Sequence, residues 1–323
     1  MGMATASSVR QLRAYASPNV SAMTGPSFEL GRVGIWTGVL DAVPSAEARR
    51  IAARLEELGF PTLWIPETVG RDPFVTATLL LGATSELRVA TGIANIYARD
   101  AVTMANTQRS LEEAFPGRFL LGLGVSHQHL VDRVRKHDYS KPYSQMVRYL
   151  SDMNDAIFLA VGPSERPATV LAALGPKMLR LAAEQASGAH PYFVPVEHTA
   201  QAREILGPEP ILAPEQMVVL ETDRTKALEI ARAGMAVYLR APNYVNNLKR
   251  LGFDDDDVAD GGSERLVDAI VATGTVDDAL ARVDAHMLAG ADHVCVQVLT
   301  GDFTSVPEGA WRDLATGLNQ REG

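Results

Sequence analysis

Three stretches of this chain place reactive side chains where an apolar run gives way to a polar one. Glu67 closes the run TLWIPE (62–67). A carboxylate in that place is costly to bury without donors, so it either pairs within the protein or holds a ligand. His127 follows the run GRFLLGLG (117–124) by three residues. An imidazole there can give or take a proton near neutral pH, while a packed or solvated loop histidine is the alternative. His129, two residues on, points elsewhere, and no Asp or His stands at metal-ligand spacing with either, so no metal site is expected. Gly175, Pro176 and Lys177 open a helical pattern directly after ATVLAAL (168–174). Free amides at a helix start, with the helix dipole behind them, can seat a phosphate. The same residues also suit an ordinary helix start, with Lys177 a surface charge. His190 and Glu221 end two further apolar runs. Cys295, the single cysteine, sits inside HVCVQVL (293–299) and reads as a small buried hydrophobe.

Apart from Cys295, these positions have a common denominator: each lies in or just after the C-terminal part of a β-type run. Such runs alternate with longer helical patterns from Gly31 onward, as βαβ units do. The strands read as 33–39, 62–67, 87–93, 118–125, 168–174, 188–193, 216–221 and 293–299. They are nearly continuous apolar runs, as when both faces are buried. Helices are expected over 45–60 with Ser45 as N-cap, from Asp72-Pro73, over 100–115, 144–159 and 175–186, and from Thr275, where Asp278 completes a capping box. Gly59 stands where a helix end favours positive φ. The stretch 238–273, with its acidic run Asp254 to Asp257, is expected as an insertion whose charges form a solvated loop. Trp36 and Trp64 are expected to pack in the core, with stacking on a planar cofactor at the barrel mouth as the alternative. Eight strand–helix pairs argue for closure into a (β/α)8 TIM barrel, whose chemistry sits at the C-terminal rim. An open doubly wound sheet is the alternative, but no Gly-x-Gly-x-x-Gly turn follows the first strand.

Length and composition agree with one α/β barrel domain over 28–323, preceded by a flexible leader over 1–27. The 323 residues carry a net charge of −9 with the basic residues thinly spread, against a nucleic-acid surface. No apolar run approaches the roughly 20 residues of a bilayer span. One cysteine excludes an internal disulfide, and a cytoplasmic setting is expected.

Together the segments LEELGFPTLWIPE (55–67), LRVATGIANIY (87–97), FPGRFLLGLGVSH (115–127) and ALGPKMLRLAAEQASGAHPYF (173–193) resemble the luciferase-like monooxygenase superfamily, and within it the coenzyme F420-dependent oxidoreductases. The resemblance runs from about Gly31 to the last strand. It implies a TIM-like barrel with insertions and a non-prolyl cis peptide at Gly92–Ile93 that backs the middle of a deazaflavin ring. It implies that Glu67 contacts that ring, that Asn95 lies along the cofactor, and that the backbone from Gly175 through Pro176 and Lys177 to Met178 receives its phosphate. His127 occupies the place of a proton-transferring acid in several relatives, a departure that leaves substrate and protonation pattern open. The implied reaction is hydride transfer between the deazaflavin C5 and a small organic substrate, by a homodimer. An FMN-dependent monooxygenase on the same scaffold is the alternative. A non-catalytic cofactor- or metabolite-binding barrel and an unrelated phosphate-binding barrel are the others.

Overall fold

Short strands that must be buried on both faces form a cylinder of parallel pairs in the computed structural model, which describes residues 28–302 and 304–322. The expected leader, 1–27, lies outside the described residues. The strands are β1 Val33–Trp36, β2 Thr62–Ile65, β3 Arg88–Thr91, β4 Ala94–Asn95, β5 Phe119–Gly124, β6 Thr169–Leu171, β7 Gly188–Ala189, β8 Ile211–Leu212, β9 Glu215–Val219, β10 Val271–Thr273 and β11 Val294–Val298. All eight expected runs contain a strand. The β1-β2-β3-β5-β6-β7-β8 path joins neighbours in chain order, and β11 lies between β1 and β9.

Closure comes from one segment that sequence reading saw only in part. β8 pairs with β7, through Gly188↔Ile211 and Ala189↔Leu212. β9, only two residues further on, pairs with β11 from Cys295↔Glu215 to Val298↔Val218. Between them, Ala213 N donates to Ala189 O at 2.9 Å, and Pro214 O accepts from Cys295 N at 3.1 Å. The stretch 211–219 is therefore the seventh stave, bonded to the sixth on one edge and the eighth on the other. Pro214 has no N–H to give the ladder, which breaks the stave into two assigned strands and hid its first half. β10 adds to the edge of β9 through Val271↔Met217, at the end of the stretch expected to be an insertion.

Helices cover the outside. Ser45–Glu57 buries Ala48, Ile51, Ala52 and Leu55, the stripe its spacing marks, and Gly59 follows it at φ 88°. Its N-cap is Pro44 rather than Ser45, and no side chain caps it. Asp72 caps Pro73–Leu81 by accepting from Phe74 N and Val75 N. Asp100 caps Ala101–Ala114, and Thr275 with Asp278 forms the capping box of Val276–Leu288. The helix expected over 144–159 is Pro142–Asn154 and stops five residues short. The acidic run is solvated at Asp254, Asp255 and Asp256, as expected, but it forms a helical turn rather than a loop. Asp254 and Asp257 make a capping box on the turn Asp255–Val258, and Asp257 is buried against Arg265 and Ser263. Trp64 is fully buried and Trp36 nearly so, while Cys295 lies in the same inner cluster.

Candidate functional site

The C-terminal ends of β5, β6 and β7 and the helix Pro242–Arg250 enclose a cavity of about 350 Å³. This is within the usual range for small-ligand sites. Its floor depends on close backbone approach. A Cβ on Gly124 would stand 2.4 Å from Ile93 Cδ1 and 3.2 Å from Ala172 Cβ; one on Gly122 would overlap Thr91 O. The GLG of strand β5 is therefore what lets Ile93 reach the cavity wall. The Gly92–Ile93 peptide is cis, and Trp36 Nε1 donates to Gly92 O at 3.1 Å.

His127 lines the cavity, half-buried. The residue before it, Ser126, has φ 58°, a left-handed conformation that a non-glycine residue adopts only when its surroundings hold it there. Tyr139 supplies part of that hold by donating its hydroxyl to Ser126 O at 2.9 Å. Burial lowers the His127 pKa, so its ring is neutral at physiological pH. The Asn243 amide oxygen accepts from Nδ1–H at 3.3 Å, which leaves Nε2 as the lone pair.

Gly175 is the N-cap of Pro176–Gln185, with no side chain closing its amides. Arg250 stands over it, Nη2 3.5 Å from where a Gly175 Cβ would be. Among the described residues no carboxylate pairs with Arg250; its one bond runs to Asn247 Oδ1 at 2.8 Å. Met178 lines the same end, while Pro176 and Lys177 are exposed and outside the lining.

Glu67 is placed differently. Arg99 grips it with two bonds of 2.7 and 2.9 Å, Asn95 N donates at 2.7 Å, and Arg135 stands 3.5 Å away. Its side chain is 6% exposed, and it does not line the cavity. Asn95 is likewise buried, its Oδ1 accepting from Tyr97 N. Glu221 accepts from Asp223 N beyond the end of β9. The fold thus brings His127, Ile93, Gly175, Met178 and His190 around one cavity. Gly92 sits directly behind it, and Glu67 and Asn95 brace the neighbouring loop.

Sequence reading did not single out Tyr139, Asn243, Tyr244 or Arg250. They lie in the stretch after β5 and in the insertion 238–273, and nothing in PNYVNNLKR (242–250) announces which residues turn inward.

The fold and this cavity define a class: a (β/α)8-type barrel with a pocket at its C-terminal rim, where barrels of this kind carry their chemistry. The chain belongs to the luciferase-like monooxygenase family, whose profile matches residues 30–293. It is 26% identical over 302 residues to 5,10-methylenetetrahydromethanopterin reductase of Methanolobus tindarius, covering 79% of this chain and 92% of that protein. It is also 26% identical over 172 residues to a putative coenzyme F420-dependent oxidoreductase of Mycobacterium tuberculosis, covering 53% and 47%. In fold it is similar to an F420-dependent secondary alcohol dehydrogenase solved with an F420–acetone adduct, at TM-score 0.69 and 15% identity over 88% of this chain and 96% of that one. A Pseudomonas putida Baeyer–Villiger monooxygenase constituent in complex with FMN is also similar, at TM-score 0.66 and 14% identity over 88% and 95%. Among the described residues no helix is long and apolar enough to cross a membrane.

Proposed function

We propose that this protein is a coenzyme F420-dependent oxidoreductase that transfers a hydride between the deazaflavin C5 and a small ketone, imine, enone or alcohol-type substrate. The observation that carries this reading is the neutral His127 with a free Nε2 in a cavity that also holds the Gly175 helix start and Arg250. The curated relatives named for F420 or for a reductase support the choice of cofactor.

The residues fit such a group. Uncapped amides at Gly175 and the Arg250 guanidinium suit a phosphate, and the glycine-backed Ile93 wall suits a flat ring. When bound, the deazaflavin supplies a C5 that gives or takes the hydride. His127 handles the proton. As a neutral base it takes the hydroxyl proton while the carbon beside it loses hydride; protonated, it returns that proton in the reverse direction. Asn243 holds the tautomer by accepting from Nδ1–H, so Nε2 is the atom that exchanges the proton. Tyr139 fixes the Ser126 backbone and with it the ring's position. A homodimer is part of the same proposal, and sedimentation velocity tests it.

Titration of the purified protein with F420 and with FMN, followed by fluorescence quenching, tests the cofactor. Binding of F420 and multiple-turnover reduction or oxidation of one substrate of these classes is the expected result. Tight FMN binding with none for F420 overturns it in favour of a flavin monooxygenase.

A further inference from the structure

The cavity contains a second histidine that the proposed proton transfer does not use. His190 follows β7 and is 1% exposed, yet it lines the cavity. Its Nδ1 lies 2.7 Å from Ala213 O, a carbonyl that can only accept, so Nδ1 carries the proton. Burial pushes its pKa down to about 4, which keeps the ring neutral at physiological pH. Nε2 is therefore a bare lone pair, and among the described residues it has no hydrogen-bond partner. The ring cannot turn away to find one. Trp64 stacks on it at 4.2 Å between centroids with an interplanar angle of 20°. On the Nε2 side, a Cβ on Gly92 would lie 3.1 Å from that nitrogen, so the lone pair sits beside the cis bend.

The lining differs in exposure: Arg250 is exposed and Gly175 half-buried, whereas His190 is closed off from solvent. An anionic tail fits the exposed part, and the edge of a ring fits the closed one. A buried acceptor without a partner is costly, and the cost is recovered only by a donor. Deazaflavin and flavin rings both end in a pyrimidinedione whose imide N–H is a donor flanked by two carbonyl acceptors. We infer that His190 is a specificity-determining residue whose Nε2 accepts a hydrogen bond from the imide N–H of the bound ring. This rests on the proposed reading of the cavity as a ring-cofactor site. It adds that the closed part selects for a donor, so a planar ring that presents only acceptors there is refused.

The test uses the whole protein in two measurements. In wild-type protein labelled with 15N at histidine, saturating F420 should move the His190 Nε2 resonance towards lower frequency, as a lone pair does on accepting a hydrogen bond, and leave Nδ1 nearly still. His190→Phe keeps a ring on Trp64 but removes the lone pair, and should bind F420 about tenfold or more weakly. An Nε2 resonance unmoved at saturation, or a His190→Phe affinity within twofold of wild type, overturns the inference while leaving the ring-cofactor reading intact. Failure of wild-type protein to bind either F420 or FMN overturns both. The resonance is read in unmutated protein, so a poorly folding variant does not block the test.

Discussion

On one side of the Gly92–Ile93 bend, every charge has found a partner; on the other, polar atoms wait for one. Around Glu67 the carboxylate takes two bonds from Arg99 and one from Asn95 N, with Asp72 also bonded to Arg99 and Arg135 close by. Around His190 and His127 two neutral imidazoles each hold a proton on Nδ1 and leave Nε2 bare, and Arg250 has no carboxylate among the described residues. Both clusters stand at strand ends, where rim position alone marks them equally as reactive. The difference teaches that saturation, rather than location, separates a bracing cluster from a binding one. A saturated carboxylate has little left to offer a ligand, whereas an unsatisfied acceptor in a cavity is stabilised only by something that arrives.

The largest effect expected from this contrast is on stability, at the saturated side. Glu67→Ala leaves the nearly buried Arg99 with only the exposed Asp72 as counter-charge and takes Glu67 from the half-buried Arg135, and breaking a buried pair by removing one partner costs up to about 3–5 kcal/mol. Chemical denaturation should show a loss of that size, and F420 affinity measured where the variant is still folded should stay within about threefold. The contrast breaks if stability holds and cofactor binding collapses, because Glu67 would then be the ring contact that the family resemblance implies.

At the unsaturated side the signs reverse. His127→Ala removes a group with one bond to the protein, so the fold should lose little. Turnover should fall about 10²–10⁴-fold, the usual contribution of a positioned acid or base, with cofactor affinity nearly unchanged. Stopped-flow reduction paired with a binding titration reads the two separately. Equal losses in both would reassign His127 to binding. Its lowered pKa also fixes a direction: alcohol oxidation should rise with pH through a value below 6.5 and level off above it, as the ring loses its proton.

Beneath the cavity lies a third kind of group, buried and held neutral. Glu215 is fully enclosed, and burial raises its pKa from 4.5 to about 8, with only Phe193 N donating to it. The folded chain therefore keeps a proton that the unfolded chain releases above pH 4.5, so this residue lowers stability as pH rises from about 4.5 to 8. Buried His190 and His293, both depressed to about 4, act in the opposite sense below 6.5, where the unfolded chain takes up protons that they refuse. Glu215→Gln mimics the protonated acid. Its unfolding free energy should exceed that of wild type by an amount growing about 1.4 kcal/mol per pH unit towards 8, with the acid limb unchanged. A gap independent of pH in denaturation series would show that Glu215 is already ionised in the fold.

How much of this could be read from residues alone depends on whether a feature is local. Asp72, Asp100 and Thr275 cap helices through atoms two or three positions away, so spacing reveals them. The strands that end at the rim are runs of apolar residues, and each expected run contains one. Ile211–Leu212 escaped because Pro214 cuts its stave, and the run before the cut is too short to register. The partners of Glu67 escaped for another reason. Arg99 is 32 residues away and meets it only because β2 and β3 are neighbours in the barrel. Whether a rim carboxylate is braced or free is a property of that long-range meeting, and no local pattern encodes it. His190 could be marked as a rim residue, but its bare Nε2 follows from Ala213 O, 23 residues on.

Arg250 gives the smallest effect and the sharpest comparison with Arg99. Both guanidinium groups stand near a strand end, but Arg99 spends its donors on Glu67 and Asp72, and Arg250 spends one on Asn247. Arg250 is exposed, so replacing it with Met keeps most of its aliphatic stem while removing the charge. Stability should then change by no more than about 0.5 kcal/mol, the usual range for a surface substitution. Affinity for F420 should fall about tenfold, roughly one charge-assisted hydrogen bond to an exposed anion, and the loss should shrink as salt is raised. Inorganic phosphate should compete with F420 in wild-type protein and compete less in Arg250→Met. If phosphate competes equally in both, the anion is held by the Gly175 amides alone, and Arg250 belongs with the surface charges rather than with the site.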